Sequence, residues 1–285
     1  MVQITYAISR LEKLPNLKLI LIGYDVLFPK YISLACALRN ITTVATQERF
    51  LLTWTPLQSM LLTHYFVFGK RVSEELKNND RCEISNIHEI GPVRSDLLKA
   101  CFENDCDMEF SGYEKIALVL DFYSANNIYD NNTLIANNWK NNNKFYEDIV
   151  ALAKIHENIL FLIKGKNHDF INNKVFKVVV KKIQQQKNIK VITNYEKWSP
   201  YKCASMVDFA IALHTSLGDE MLACGKPVLF YDYFGFPTSF FDYDDYPLIV
   251  HNFSALKKEV AKILSSSFLS DKDFAELRDN YYSIR

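Results

Sequence analysis

Short apolar runs recur along the whole chain, at 17–23, 41–46, 65–69, 88–91, 116–121, 159–163, 189–192, 207–213, 227–232 and 248–251. They are apolar on both parities, which suits strands buried on both faces of a parallel sheet. Between them lie stripes at helical spacing, such as Phe145, Ile149, Leu152 and Ile155, and later Leu256, Val260 and Ile263. Alternation of the two patterns predicts an α/β fold of parallel sheets flanked by helices.

The pattern breaks once, in the polar and acidic stretch "LKACFENDCDMEFSGYE". At 285 residues the chain is long for one core, since single cores stop growing near this size. We therefore expect a partial Rossmann-like domain over 1–97, with about four strands, and a linker over 98–112. A second domain over 113–285, with about six strands, would form a doubly wound sheet. The Asn-rich piece 126–143 reads as a solvated loop before a helix.

The 33 basic and 33 acidic residues leave no net field that would point to nucleic acid. No window approaches the roughly 18 apolar residues of a membrane span, and the start lacks a leader pattern, so a cytoplasmic protein is expected. The cysteines form no C-x-x-C pair. Cys36, Cys203 and Cys224 read as reduced core residues, while Cys101 and Cys106 form a weak redox candidate pair.

The densest polar group is "HTSLGDE", residues 214–220, which follows the apolar run 207–213 and opens a short helix. Open α/β sheets bind ligands beyond the carboxyl ends of strands, where the next helix presents unpaired N–H groups. Plain capping accounts for Ser216 as N-cap with Asp219 three residues on. It does not account for Gly218, a poor helix former that would let a phosphate approach the backbone, or for Glu220, suited to ribose hydroxyls. Phosphate binding and capping stand as equal readings of this segment.

The order "HTSLGDE", then "MLACGKP", then "VLFYD" resembles the donor-binding half of GT-B glycosyltransferases, and within them bacterial enzymes of surface and capsular polysaccharide synthesis. Similar turns occur in nucleotide-sugar 2-epimerases of the same fold. The resemblance implies that Thr215, Ser216 and Gly218 hold phosphate, Glu220 meets ribose, and His214 touches the donor. It extends to "HEIGPVRSDLL", where Gly91, Arg94 and Asp96 match a turn at the family's interdomain cleft, with Arg94 facing donor phosphate. An Arg94–Asp96 surface pair is the simpler reading of that turn. Lys164 and Lys166 in "FLIKGKNHD" and Asp121 and Ser124 in "ALVLDFYS" follow strands and would line the same site, the lysines stabilising the leaving nucleotide without a metal or other cofactor; solvated loop lysines and a helix cap are the simpler readings.

An inverting transferase also needs a base. His64, read as the start of a strand, and Glu48, after a strand beside Gln47 and Arg49, are the candidates. Tyr195 and Tyr201 would frame a base-stacking pocket, against the simpler reading of aromatic packing. Family members carry further βα units before the piece that begins here, so the resemblance implies a shortened acceptor domain or a partner polypeptide. The expected activity is transfer of a sugar from a nucleotide donor to a glycan or lipid-linked acceptor, with association at the inner membrane face or with a partner protein. The alternatives are a 2-epimerase-like enzyme and a non-catalytic nucleotide-binding subunit.

Overall fold

The computed structural model describes residues 2–23, 28–48, 59–102, 110, 112–121, 129–130, 133–134, 138–166, 169–213, 215–233, 241, 244 and 246–283. The chain divides into two compact units, Met1–Val93 with Asp271–Arg285, and Arg94–Ser270. Each is an α/β layer structure around a parallel sheet, as the alternating pattern predicts.

In the first unit, strands β1 (Leu19–Ile22), β2 (Thr42–Thr46), β3 (Met60–Val67) and β4 (Cys82–Glu89) form a sheet in that order, all parallel. Helices α1 (Val2–Leu11), α2 (Lys30–Leu38) and α3 (Lys70–Lys77) accompany them. Ile22, Ala45, Tyr65 and Val67 share one parity across the paired strands and are buried, as are Met60 and Leu62 on the other parity of β3, while Leu21 of the edge strand β1 is 71% exposed. The helix Asp271–Tyr282 also belongs to this unit, with Tyr281 and Tyr282 fully buried. The expected second domain ran on to residue 285; the structure separates its last helix from it.

Strands β3 and β4 begin earlier than their apolar runs suggested. The cause is visible in β4, whose sequence Cys-Glu-Ile-Ser-Asn-Ile-His-Glu alternates and whose residues are half-buried or exposed along its length. A strand at the edge of a sheet has no need of a continuous apolar run.

The second unit opens with helix α4 (Ser95–Phe102), so residues 98–102 of the expected linker are helical. Strand β5 (Lys115–Leu120) follows, then a short antiparallel pair, β6 (Tyr129–Asp130) and β7 (Thr133–Leu134), inside the piece read as a loop. Next come α5 (Trp139–Ile155), β8 (Ile159–Lys164), α6 (Lys177–Gln185), β9 (Ile189–Val191), α7 (Pro200–Ser205) and β10 (Phe209–Ala212). The unit closes with α8 (Ser216–Ala223), β11 (Val228–Tyr231), β12 (Ile249–Val250) and α9 (Phe253–Leu264).

The six-stranded sheet has the order β12-β11-β10-β5-β8-β9, parallel throughout. Its central strands carry no polar face: every residue of β8, β10 and β11 is buried. Helix starts are written in the sequence. Asn138 accepts from the Lys140 and Asn141 N–H groups at the start of α5, and Asn252 from Ala255 N–H at the start of α9. Ser199 does the same for α7, with Pro200 at the first helical position.

His156 ends α5 with a buried Nε2 that lacks a hydrogen-bond partner among the described residues. A helix C-terminus would favour imidazolium, yet burial lowers its pKa below the usual histidine value. The neutral ring therefore contributes stability that is present above the unfolded-state pKa and lost as pH falls through the lower folded-state value. Thermal melts of wild type and His156→Asn are expected to diverge between neutral and mildly acidic pH, the wild type losing more stability on acidification. Parallel pH profiles would refute the assignment.

Candidate functional site

In the second unit, β5 leads to β8 on one side, while β10 lies on the other. The chain reverses its direction of travel across the sheet there, and such switch points open a crevice at the carboxyl ends of the flanking strands. The register sets Leu120 beside Ala212 on one side and beside Lys164 on the other. Asp121, Leu213 and Gly165, the next residues of those three strands, are thus neighbours at the strand ends. Thr215 to Glu220 follow directly, as the start of α8.

Helix α8 starts one residue earlier than its sequence suggested. Thr215 is the N-cap, with φ −140° and ψ 138°, and its side chain makes no cap hydrogen bond. Ser216 is the first helical residue, so the expected box between Ser216 and Asp219 does not form; the residue three past the N-cap is Gly218, which has no side chain to close one. The helix ends in a Schellman motif. Gly225, at φ +86°, donates to Leu222 O at 2.9 Å, and Lys226 N–H to Met221 O at 2.9 Å. The "GKP" triplet is therefore a helix stop. Lys226 Nζ goes on to donate to Ser205 O, at the end of α7, at 3.0 Å, and to Val207 O.

Gly218 has a packing reason. A Cβ there would lie 2.6 Å from Phe230 Cε1 and 3.4 Å from Val228 Cγ1, both on β11. Its absence lets α8 sit close on the sheet, a packing reason for the glycine.

Glu220 is 3% exposed. Tyr201, at the start of α7, donates a hydrogen bond to its carboxylate. Burial, then Glu220's charge and hydrogen bond, push the Tyr201 pKa up to about 12, against a lowering from Arg94. Arg94 thus lies within electrostatic reach of the Tyr201–Glu220 pair, inside the second unit. Asp96 faces Lys99 at 3.7 Å instead of pairing with Arg94, an exposed contact worth little.

Asp121 is held from two sides. Its Oδ1 accepts Lys166 N–H at 2.8 Å, and its Oδ2 accepts the Tyr146 hydroxyl from α5. Burial raises its pKa, with Tyr146, the Lys166 amide and Lys164 opposing. Lys164 is 6% exposed. Its ammonium lies 3.4 Å from the centre of the Tyr195 ring and donates to Gly165 O at 3.1 Å. The Tyr195 hydroxyl donates to the same carbonyl at 3.2 Å. One face of the Tyr195 ring, expected to frame a base, is thus covered by Lys164, whereas Lys166 is exposed.

The structure therefore brings Asp121, Lys164, Lys166, Thr215, Ser216, Gly218, Glu220 and Arg94 into one unit, the first seven at or just past strand ends. His214 lies outside the described residues, as do Arg49, Ser124 and Cys106. No disulfide joins the five described cysteines. Glu48 belongs to the first unit, two residues past β2. So does His64, which is the fifth residue of β3 and not its start. Its Nδ1 is 3.1 Å from His88 Nε2, and the His88 ring stacks on Phe66 at 4.6 Å. Among the described residues no cluster of His, Cys, Asp or Glu could hold a metal ion, and no helix is long and apolar enough to cross a membrane. Sequence reasoning missed Tyr146, because nothing in a helical stripe marks the one tyrosine that reaches a strand end.

No family model and no curated protein matches the chain. Solved structures do. UDP-GlcNAc 2-epimerase from Neisseria meningitidis, bound to UDP-GlcNAc, is similar with a TM-score of 0.61 at 14% identity, over 98% of this chain and 75% of that one. The Methanocaldococcus jannaschii UDP-GlcNAc 2-epimerase, in complex with UDP-GlcNAc and UDP, gives 0.57 at 14%, over 96% and 78%. The wall teichoic acid polymerase TagF gives 0.51 at 12%, over 93% and 69%. The fold is of the GT-B type. At these identities the likeness concerns the backbone, and the two parallel sheets are its shared content.

Proposed function

We propose that the second unit of this GT-B chain binds a nucleoside-diphosphate sugar at the carboxyl ends of β5, β8 and β10, and that the chain is an enzyme acting on it. The observation that supports this reading is the start of α8 at the topological switch point, where the N-cap Thr215 makes no side-chain cap hydrogen bond. Glu220 would take the ribose hydroxyls and Lys166 the diphosphate. Dipole and cation together would meet the leaving-group charge, so chelation with EDTA is expected to leave activity unchanged.

Two reactions share this pocket. Epimerisation at C2 of the sugar requires removal of a proton from one face and its return to the other; glycosyl transfer requires a base for an acceptor hydroxyl. The 2-epimerase reading is preferred, since those structures match with higher TM-scores and over more of the chain than TagF. Likeness to TagF keeps transfer to a surface-glycan acceptor as the second reading.

Incubation with UDP-GlcNAc in D2O, followed by proton NMR, separates them. Deuterium at C2 with appearance of the C2 epimer is expected for the first reading. UDP release only on addition of an acceptor would establish the second, and tight binding with neither outcome would leave a nucleotide-binding subunit.

A further inference from the structure

The two lysines that follow β8 differ in kind. The peptide unit joining Gly165 to Lys166 is held at both polar ends: its carbonyl accepts from Lys164 Nζ at 3.1 Å and from the Tyr195 hydroxyl at 3.2 Å, and its N–H donates to Asp121 Oδ1 at 2.8 Å. Asp121 is held in turn by the Tyr146 hydroxyl. Side chains from the ends of β5 and β8 and from the segment after β9 therefore converge on one peptide plane, with Tyr146 of α5 behind Asp121. Lys164 spends its charge inside this arrangement. It is 6% exposed, with its ammonium against the Tyr195 ring at 3.4 Å. A buried ammonium is tolerated where a ring face and a carbonyl replace water. Lys166, two residues on, leaves the fixed peptide with its side chain exposed at the same strand ends.

We propose that Lys164 is a positioning residue that fixes the Gly165–Lys166 peptide, and that Lys166 alone is the cation contributed by this loop to a bound diphosphate. The assignment rests on the nucleotide-sugar reading given above and makes it specific. Two lysines that both touch phosphate would each keep an effect when the other is removed. A lysine that acts only through its neighbour loses its effect when the neighbour is gone, and a double-mutant cycle measures this directly.

The test is calorimetric titration of UDP and of uridine into wild type, Lys166→Gln, Lys164→Met and the double variant. Lys166→Gln is expected to weaken UDP about tenfold and leave uridine unchanged, the loss of one charge-assisted contact. Lys164→Met is expected to weaken UDP several-fold without touching uridine, and the double variant to match Lys166→Gln. Should Lys164→Met fail to fold, Tyr195→Phe removes the other donor to Gly165 O and is expected to be silent in the Lys166→Gln background. A further loss on Lys164→Met in the Lys166→Gln background, or a UDP affinity indifferent to Lys166→Gln, overturns the assignment while leaving the nucleotide reading intact. Equal wild-type affinity for UDP and uridine overturns both.

Discussion

Glu220→Gln is expected to weaken UDP about 30-fold while the protein remains folded. The carboxylate is buried and already accepts from Tyr201, so it is oriented before any ligand arrives. Hydrogen bonds to a charged acceptor contribute about 1.5–3 kcal/mol each, and glutamine keeps the shape while removing the charge. A loss of about 2 kcal/mol corresponds to roughly 30-fold in affinity. The measurement that isolates ribose recognition compares UDP with its 2′,3′-dideoxy analogue: wild type should prefer UDP and Glu220→Gln should bind the two alike. If the variant instead lowers the melting temperature and keeps the ribose preference, Glu220 serves only the packing of α4, α7 and α8, and the ribose-binding group lies elsewhere.

The parallel sheets were legible because burial on both faces leaves no room for polar residues. The runs that became β5, β8, β10 and β11 carry that pattern almost without interruption. Strand β4 was legible only in its last residues, since an edge strand is permitted to alternate. The location of the site was equally readable, a polar group where a buried run hands over to a helix. The roles within it were not. Gly218 reads as backbone freedom for a ligand until Phe230 is found 2.6 Å from the missing Cβ. Spacing also makes Lys164 and Lys166 look equivalent. Their division depends on Tyr195, about thirty residues away along the chain, and no local pattern carries that contact. The placement of the helix Asp271–Tyr282 in the first unit is likewise a long-range fact, yet Gly69 and Gly91 bear its imprint.

Those two glycines yield the largest expected change in stability. Gly69 is the N-cap of α3, with φ −166° and ψ −176°, an extended backbone open to any residue. Conformation therefore does not demand glycine there; space does. A Cβ at Gly69 would lie 2.4 Å from Tyr281 C, 2.5 Å from Tyr281 O and 2.7 Å from Asn280 O. These are backbone atoms at the end of a helix, which cannot swing aside as a side chain would. Gly91 meets the same helix with a second constraint, a φ of +83° and a Cβ position 2.8 Å from Tyr282 O. Gly69→Ala must push the helix off the sheet or shift α3. Overpacking of a close contact costs about 1–3 kcal/mol and more when backbone must move, so a loss of about 3 kcal/mol and a melting point lower by roughly 10 °C are expected. Gly23→Ala supplies the control, because a Cβ there meets nothing within 4 Å. Differential scanning calorimetry of the two variants decides the matter: equal melting temperatures would mean that the helix Asp271–Tyr282 does not press on Gly69 in solution. A fall for Gly69→Ala alone would show that the last helix stabilises the first unit through this contact.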